Sequence, residues 1–189
     1  MKKLAFLLIW CFLLFSCENI SVVGDFLYIL GEIVLESNNQ EENTPEDDTI
    51  DYIRNQVLEY AELYCKADTE YVWGGQDTLR SIKVDCSGMV INCYKYGIKG
   101  TNYKLLFDDT TSSNLYSKFT NHTTNPRPGD LIFMGDKNSS TINHVGIFVK
   151  FDNEYVHFID ATEGIGVSKR KYQKSNKVIK GYGEMKFSM

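Results

Sequence analysis

Between residues 50 and 64 the apolar positions Ile50, Ile53, Val57, Ala61 and Tyr64 recur every three or four residues, the spacing of one helix face. Asp48 or Thr49 offers an N-cap, so the pattern predicts a helix ending near Lys66. A loop with Tyr71-Val72-Trp73-Gly74-Gly75 follows. A second helix is predicted over residues 87–96, with Met89, Val90, Cys93 and Tyr94 on one side and Gly97 as its C-cap. Asp109 or Thr110 can cap a third, running to Phe119. After Pro126 the grammar changes. Pro128-Gly129 is a turn signal, and β-rich runs follow at residues 131–134, 144–150, 155–160, 166–168 and 181–187. Asp152-Asn153 lies between the second and third runs and predicts a hairpin there. Helices first and an antiparallel meander afterwards predict an α+β domain rather than a doubly wound parallel sheet.

The chain opens differently. Lys2 and Lys3 precede the apolar residues 4–16, a run of 13, too short for the roughly 20 that span a bilayer. A short basic start with an apolar middle predicts an export signal. It ends in Leu14-Phe15-Ser16-Cys17, which resembles the bacterial lipobox. That resemblance implies a signal peptide over residues 1–16 and a mature protein anchored in a membrane of the cell envelope through a lipidated Cys17. Multiple acyl chains hold far more firmly than one. Val23, Phe26, Leu27, Leu30, Ile33 and Val34 then form an apolar segment at helical spacing, interrupted by Gly24 and Gly31. Residues 37–51 hold six acids and no base, and predict a disordered or extended acidic linker. The folded domain is expected over residues 52–189.

Charge narrows the range of partners. The net charge of −5 excludes binding to nucleic acid by bulk basic charge. The imbalance lies before the domain, since from Tyr52 onward there are 18 basic and 15 acidic residues. Residues 169–186 hold seven bases and one acid, Glu184, a pattern expected of a solvated strand-and-loop face. Five scattered cysteines do not make a disulfide-stapled miniprotein, and no zinc-spaced cluster is present, so neither metal nor cofactor is expected.

Cys86 is the candidate nucleophile. A thiol attacks an amide only as thiolate, which a helix N-terminus and an imidazolium partner both favour. Cys86 sits where a loop turns into the second predicted helix, and Ser87 and Gly88 leave room for a substrate backbone. Backbone amides at such a turn can face a developing oxyanion. Of the three histidines, His122 lies in a polar stretch and reads as a surface residue. His144 opens a strand whose Val145, Ile147 and Val149 alternate toward the core, while Gly146 keeps space open on the face of His144. His157 lies on the next strand. A paired hairpin is expected to bring the two together, His144 as base and His157 as its orienter. Cys65 and Cys93 read as small buried hydrophobes.

Five strings occur in order: Tyr71-Val72-Trp73-Gly74-Gly75, Asp85-Cys86-Ser87-Gly88-Met89-Val90, Pro126-Arg127-Pro128-Gly129-Asp130-Leu131-Ile132-Phe133, His144-Val145-Gly146-Ile147-Phe148-Val149 and Tyr155-Val156-His157. Together they resemble the NlpC family of papain-like cysteine peptidases, which cut peptide bonds in bacterial peptidoglycan. The resemblance spans roughly residues 50–187. It implies N-terminal helices packed on a five- to six-stranded antiparallel sheet. It assigns Cys86 as nucleophile, His144 as base, His157 as the third polar residue and Tyr71 as the aromatic whose hydroxyl helps form the oxyanion site. Asp85 and Ser87 then fall where family members contact the stem peptide, whereas Trp73, Gly74, Gly75 and the Pro128-Gly129-Asp130 turn read as structural. One residue more than expected separates His144 from His157, and Asp160 on the strand's other face is the next candidate for orienter.

The expectation is an exported, lipid-anchored, monomeric thiol protease. It acts on peptidoglycan peptides, at the bond from the D-glutamate side chain to the following diamino acid. An amidase or acyltransferase on the same Cys-His site is the nearest alternative. The permuted lipid-acting relatives place histidine before cysteine, the reverse of the order here. A non-catalytic wall-binding lipoprotein is the third reading.

Overall fold

The computed structural model describes residues 45–77 and 82–189. The expected signal, Cys17, the apolar segment and the first part of the acidic linker lie outside the described residues. The last part of that linker is helical, because the first helix, α1, runs Pro45–Lys66 and starts before either expected cap. Proline suits a first helical position, where no amide partner is lost, and Glu46, Asp47 and Asp48 in the first turn complement the positive helix end. Acidity that reads as disorder in an isolated string is stabilising at that end of a helix. Ile53, Val57 and Ala61 are fully buried and Tyr64 nearly so, as the spacing predicts.

Short parallel strands β1 (Thr69–Tyr71) and β2 (Ile82–Val84) come next, with Tyr71 opposite Val84. Helix α2 (Cys86–Gly97) follows directly. Gly97 is not its C-cap. The cap is Ile98, still right-handed at φ −82, and the left-handed residue is Gly100 at φ +79. Gly97 is instead where α2 meets α1: a Cβ there would lie 2.9 Å from Val57 Cγ2 and 3.0 Å from the Ile53 carbonyl. Beyond β3 (Lys104–Leu105), Thr111 caps a single turn, α3 (Ser112–Asn114), that widens into a π turn over Leu115–Phe119.

The remaining strands are β4 (Thr120–Thr123), β5 (Leu131–Met134), β6 (His144–Phe151), β7 (Tyr155–Thr162), β8 (Gly166–Gln173), β9 (Ile179–Met185) and β10 (Phe187–Ser188). Six of them form an antiparallel sheet in the order β4-β9-β5-β6-β7-β8, and β10 pairs with β3. The α+β class and the antiparallel sheet agree with the expectation. β4 does not: Thr-Asn-His-Thr shows no apolar alternation, because it is an edge strand held through backbone pairing to β9.

Alternate residues of the sheet serve two cores. Leu131, Phe133, Val145, Ile147, Ile159 and Ala161 join Met89 and Val90 of α2 and the buried stripe of α1. Ile132, Met134, Phe148, Val156 and Phe158 form a second apolar cluster on the other face. A strand interior therefore carries no polar side chain without a reason, and Asp160, fully buried in the middle of β7, stands out.

Candidate active site

Cys86 is the first residue of α2 and is 6% exposed. The turn before it is held by Asp85, whose extended backbone and carboxylate make it the N-cap. Asp85 Oδ1 accepts from the Gly88 amide at 2.7 Å and from Ser87 Oγ at 3.0 Å, and Oδ2 accepts from the Gly74 amide at 2.9 Å. One carboxylate thus ties the Tyr71–Gly75 loop to the helix start. Two glycines make the fit possible. A Cβ on Gly88 would come 2.1 Å from the Gly75 carbonyl oxygen, and one on Gly75 would come 2.6 Å from that of Lys83. The two sequence strings are therefore two sides of one close contact, and Gly74 and Gly75 have the structural role expected of them. Trp73 does not share it, since its side chain is 86% exposed.

This construction places the sulfur at the positive end of the helix dipole, where negative charge is favoured. Tyr71 stands beside it through the β1–β2 pairing. Burial raises the Tyr71 phenol above its ordinary pKa, and negative charge at Cys86 and Asp85 adds to that. The hydroxyl therefore stays protonated, as a hydrogen-bond donor must. Cys65 and Cys93 are free, and burial pushes both thiols up, Cys93 strongly. They remain protonated and inert, as expected.

His144 lies at the start of β6, mostly buried, between two partners. Its Nε2 donates to Asp160 Oδ2 at 2.7 Å, and Cys86 is near enough to act on the ring as well. With Nε2 committed to the carboxylate, Nδ1 is the nitrogen left for the sulfur. Burial alone would lower the ring's pKa, but the hydrogen bonds to Asp160 and Cys86 and the charge on both outweigh it and raise it to about 9. The ring is a stable imidazolium at neutral pH. Gly146 provides the room, because a Cβ there would come 3.1 Å from Asp160 Cβ and 2.8 Å from the Ile159 carbonyl oxygen.

His157 does not orient His144. The hairpin pairs Ile147 with Ile159 and Phe148 with Phe158, then shifts by one so that Lys150 faces His157. His157 therefore sits near the turn, where its Nε2 contacts Asp152 Oδ2 at 2.6 Å and holds that carboxyl well below the usual carboxylate range, with help from the Tyr155 amide. Continuing the Ile147–Ile159 register back to His144 puts it opposite Thr162, two residues from Asp160 on the same face and five from His157. Asp160 has both the reach and the face. Counting from the turn is the signal that identifies it. His122, on β4, stacks on Tyr116 with ring centres 4.1 Å apart and lies on the surface as expected.

Asp160 has further support that the sequence does not advertise. Its Oδ2 also accepts from Arg170 Nη1 at 2.9 Å and Thr162 Oγ1 at 3.3 Å, while Oδ1 is buried with no hydrogen-bond partner among the described residues. Asp130, by contrast, has the structural role expected of its turn. It is buried and accepts from Arg54 Nε and the Arg127 amide, each at 2.7 Å.

The cysteine, imidazole and carboxylate form a relay able to activate a sulfur nucleophile and return a proton to a leaving group. Comparison with known proteins bears on the family and the fold. The NlpC/P60 family model matches residues 68–182. NlpC1 from Trichomonas vaginalis shares the fold, with 19% identity, a TM-score of 0.50, and coverage of 72% of this chain and 45% of that one. An NlpC/P60 family protein from Bacillus cereus does so with 14% identity, a TM-score of 0.50, and coverage of 70% and 40%. The chain thus spans less than half the length of these solved structures. No curated protein matches it.

Proposed function

Because the chain belongs to the NlpC/P60 family, a family of cysteine peptidases of the cell-wall type, we propose that it is an endopeptidase that hydrolyses stem-peptide bonds of peptidoglycan. The observation that supports this most directly is His144 held between Cys86 and Asp160.

In this reading the Cys86 thiolate attacks the scissile carbonyl, forming a C–S bond and an oxyanion. Backbone amides at the start of α2 and the Tyr71 hydroxyl stabilise that charge. The His144 imidazolium gives its proton to the leaving amine as the C–N bond breaks, leaving a thioester. The neutral ring then takes a proton from water, whose oxygen attacks the thioester, and the acid product leaves with the thiolate–imidazolium pair restored. Asp160 keeps the ring in the tautomer and orientation both steps need.

The bond from the D-glutamate side chain to the diamino acid is the proposed target. Asp85 and Ser87 are proposed to meet the peptide from the cap of α2, although each carboxylate oxygen of Asp85 already has a protein donor. Residues 1–16 are proposed as a signal and Cys17 as the lipidated anchor in the cell envelope.

Digestion of defined muropeptides, with mass analysis of the fragments, tests the reading. Release of a γ-glutamyl peptide and a free diamino-acid amine supports it. Cleavage only at the sugar–peptide amide would make the protein an amidase, and an inert wild type with an unreactive Cys86 would make it a binder.

A further inference from the structure

Three neighbouring strands each place one charged side chain on the same face of the sheet, along one diagonal. His144 on β6 is two residues off the position opposite Asp160, and Arg170 on β8 is two residues off it on the other side. His144 and Arg170 reach the same atom, Asp160 Oδ2, at 2.7 and 2.9 Å. We propose that Arg170 is a positioning residue for the cysteine–histidine pair: it fixes the one carboxylate oxygen that His144 uses and shares that oxygen's charge, setting how strongly the pair is polarised. The inference rests on the proposed peptidase reading, in which that pair does the chemistry.

The arginine is built in rather than loosely attached. Its Nη1 also donates to Thr162 Oγ1 at 2.5 Å and its Nη2 donates to the Tyr172 hydroxyl. The guanidinium carbon lies 5.8 Å from the centre of the Phe158 ring and 5.2 Å from that of Tyr172. A planar fork stacked on rings has one orientation, which a lysine would not keep. The carboxylate needs such a partner. Among the described residues its three donors crowd onto Oδ2, while Oδ1 is buried without one, a costly way to hold a charge that a cation 2.9 Å away offsets.

The sign of the effect follows from the charges. An unshared Asp160 carboxylate would bind the His144 proton more tightly and repel a thiolate at Cys86. Arg170 weakens that pull, leaving the imidazolium acidic enough to release its proton to a leaving amine. The other groups facing this chain are Cys86 from α2 and Tyr71 from β1, with Cys65 of α1 within electrostatic reach of Asp160. None of these is a cation, so among the described residues Arg170 is the counter-charge that the carboxylate has besides the His144 ring itself.

The test is the ring titration of His144 in full-length protein, followed by NMR of labelled histidine, in wild type, Arg170→Met and Arg170→Lys. Methionine preserves apolar packing on the two rings, and circular dichroism checks the fold. In wild type the midpoint should lie near 9. Arg170→Met should raise the ring's proton affinity by roughly three- to tenfold, as expected for removing a cation at this range in a half-buried site. Arg170→Lys, which keeps the charge but not the fork, should give a midpoint between those of wild type and Arg170→Met. A wild-type midpoint near 9 that Arg170→Met leaves unmoved overturns the role of Arg170 and leaves the peptidase reading intact. A wild-type midpoint near 6.5, the ordinary value for histidine, overturns the polarisation of the pair and with it the role of Arg170, while the muropeptide digest decides the peptidase reading separately. If Arg170→Met does not fold, Arg170→Gln decides: a proton affinity left unmoved with the cation removed overturns the inference.

Discussion

Asp130 and Asp160 are both buried carboxylates facing an arginine, and they are put to opposite uses. At Asp130 the donors are spread, with Arg54 Nε on one oxygen and the Arg127 amide on the other. Arg54 in turn reaches Asp51 and Glu184, so the corner joins α1 to the turn before β5 and to β9. Tyr94 closes it by donating to the Gly129 carbonyl at 2.7 Å. At Asp160 the donors converge on one oxygen, the other oxygen is left bare, and one of the donors is a ring that can lose its proton. A carboxylate that only holds elements together satisfies both oxygens. A carboxylate that steers a proton, as proposed for Asp160, concentrates its charge on the one oxygen its histidine partner uses, at some cost in stability.

The sharpest break between the two corners starts at the sulfur. Cys86→Ala should lower release of peptides from purified wall material by about 10⁴-fold or more, as for loss of a nucleophile, while circular dichroism and the unfolding midpoint stay as in wild type. Asp160→Asn should cost about 10²-fold or more in kcat/KM, and the alkaline limb of the pH profile, set near 9 in wild type by His144, should move down toward 6.5. Asp130→Asn should do the reverse. It should destabilise the fold by about 3 kcal/mol, measured by denaturant unfolding, because Arg54 is left as a buried charge without its main partner, and it should leave the alkaline limb in place.

A smaller effect separates the corners by pH alone. The His144 pKa is raised on folding, so its contribution to stability is complete below about pH 6.5 and is lost as pH rises through 9. Unfolding free energy should fall across that window by about 1–3 kcal/mol in wild type and by less in Asp160→Asn. The smallest effect belongs to His157. It lies near the hairpin turn and pairs with exposed Asp152, so His157→Ala should change kcat/KM by less than about twofold. A loss comparable to that of Asp160→Asn would restore His157 as the orienter.

Much of this was legible in the residues because it is local. The stripe Ile53-Val57-Ala61-Tyr64, the Asp85 cap before Cys86 and the alternation along 145–149 each depend on neighbours a few positions away, and each appears in the structure where the spacing puts it. The C-cap at Gly97 misled because its glycine answers to α1 and not to its own helix. The acidic stretch before Tyr52 misled because composition alone does not show that a proline will start a helix there.

The sequence by itself determined that Cys86 opens a capped helix, that His144 opens a strand, and the α+β class, since these follow from periods, caps and turn chemistry. Tertiary structure alone decided which carboxylate holds the His144 ring and what holds that carboxylate in turn. A side chain's partner across a sheet depends on register and on which face it points to, and a shift of one residue reverses the face. Asp160 and Arg170 meet His144's chemistry only because two hairpins close in the register they do, and no short string of residues records that.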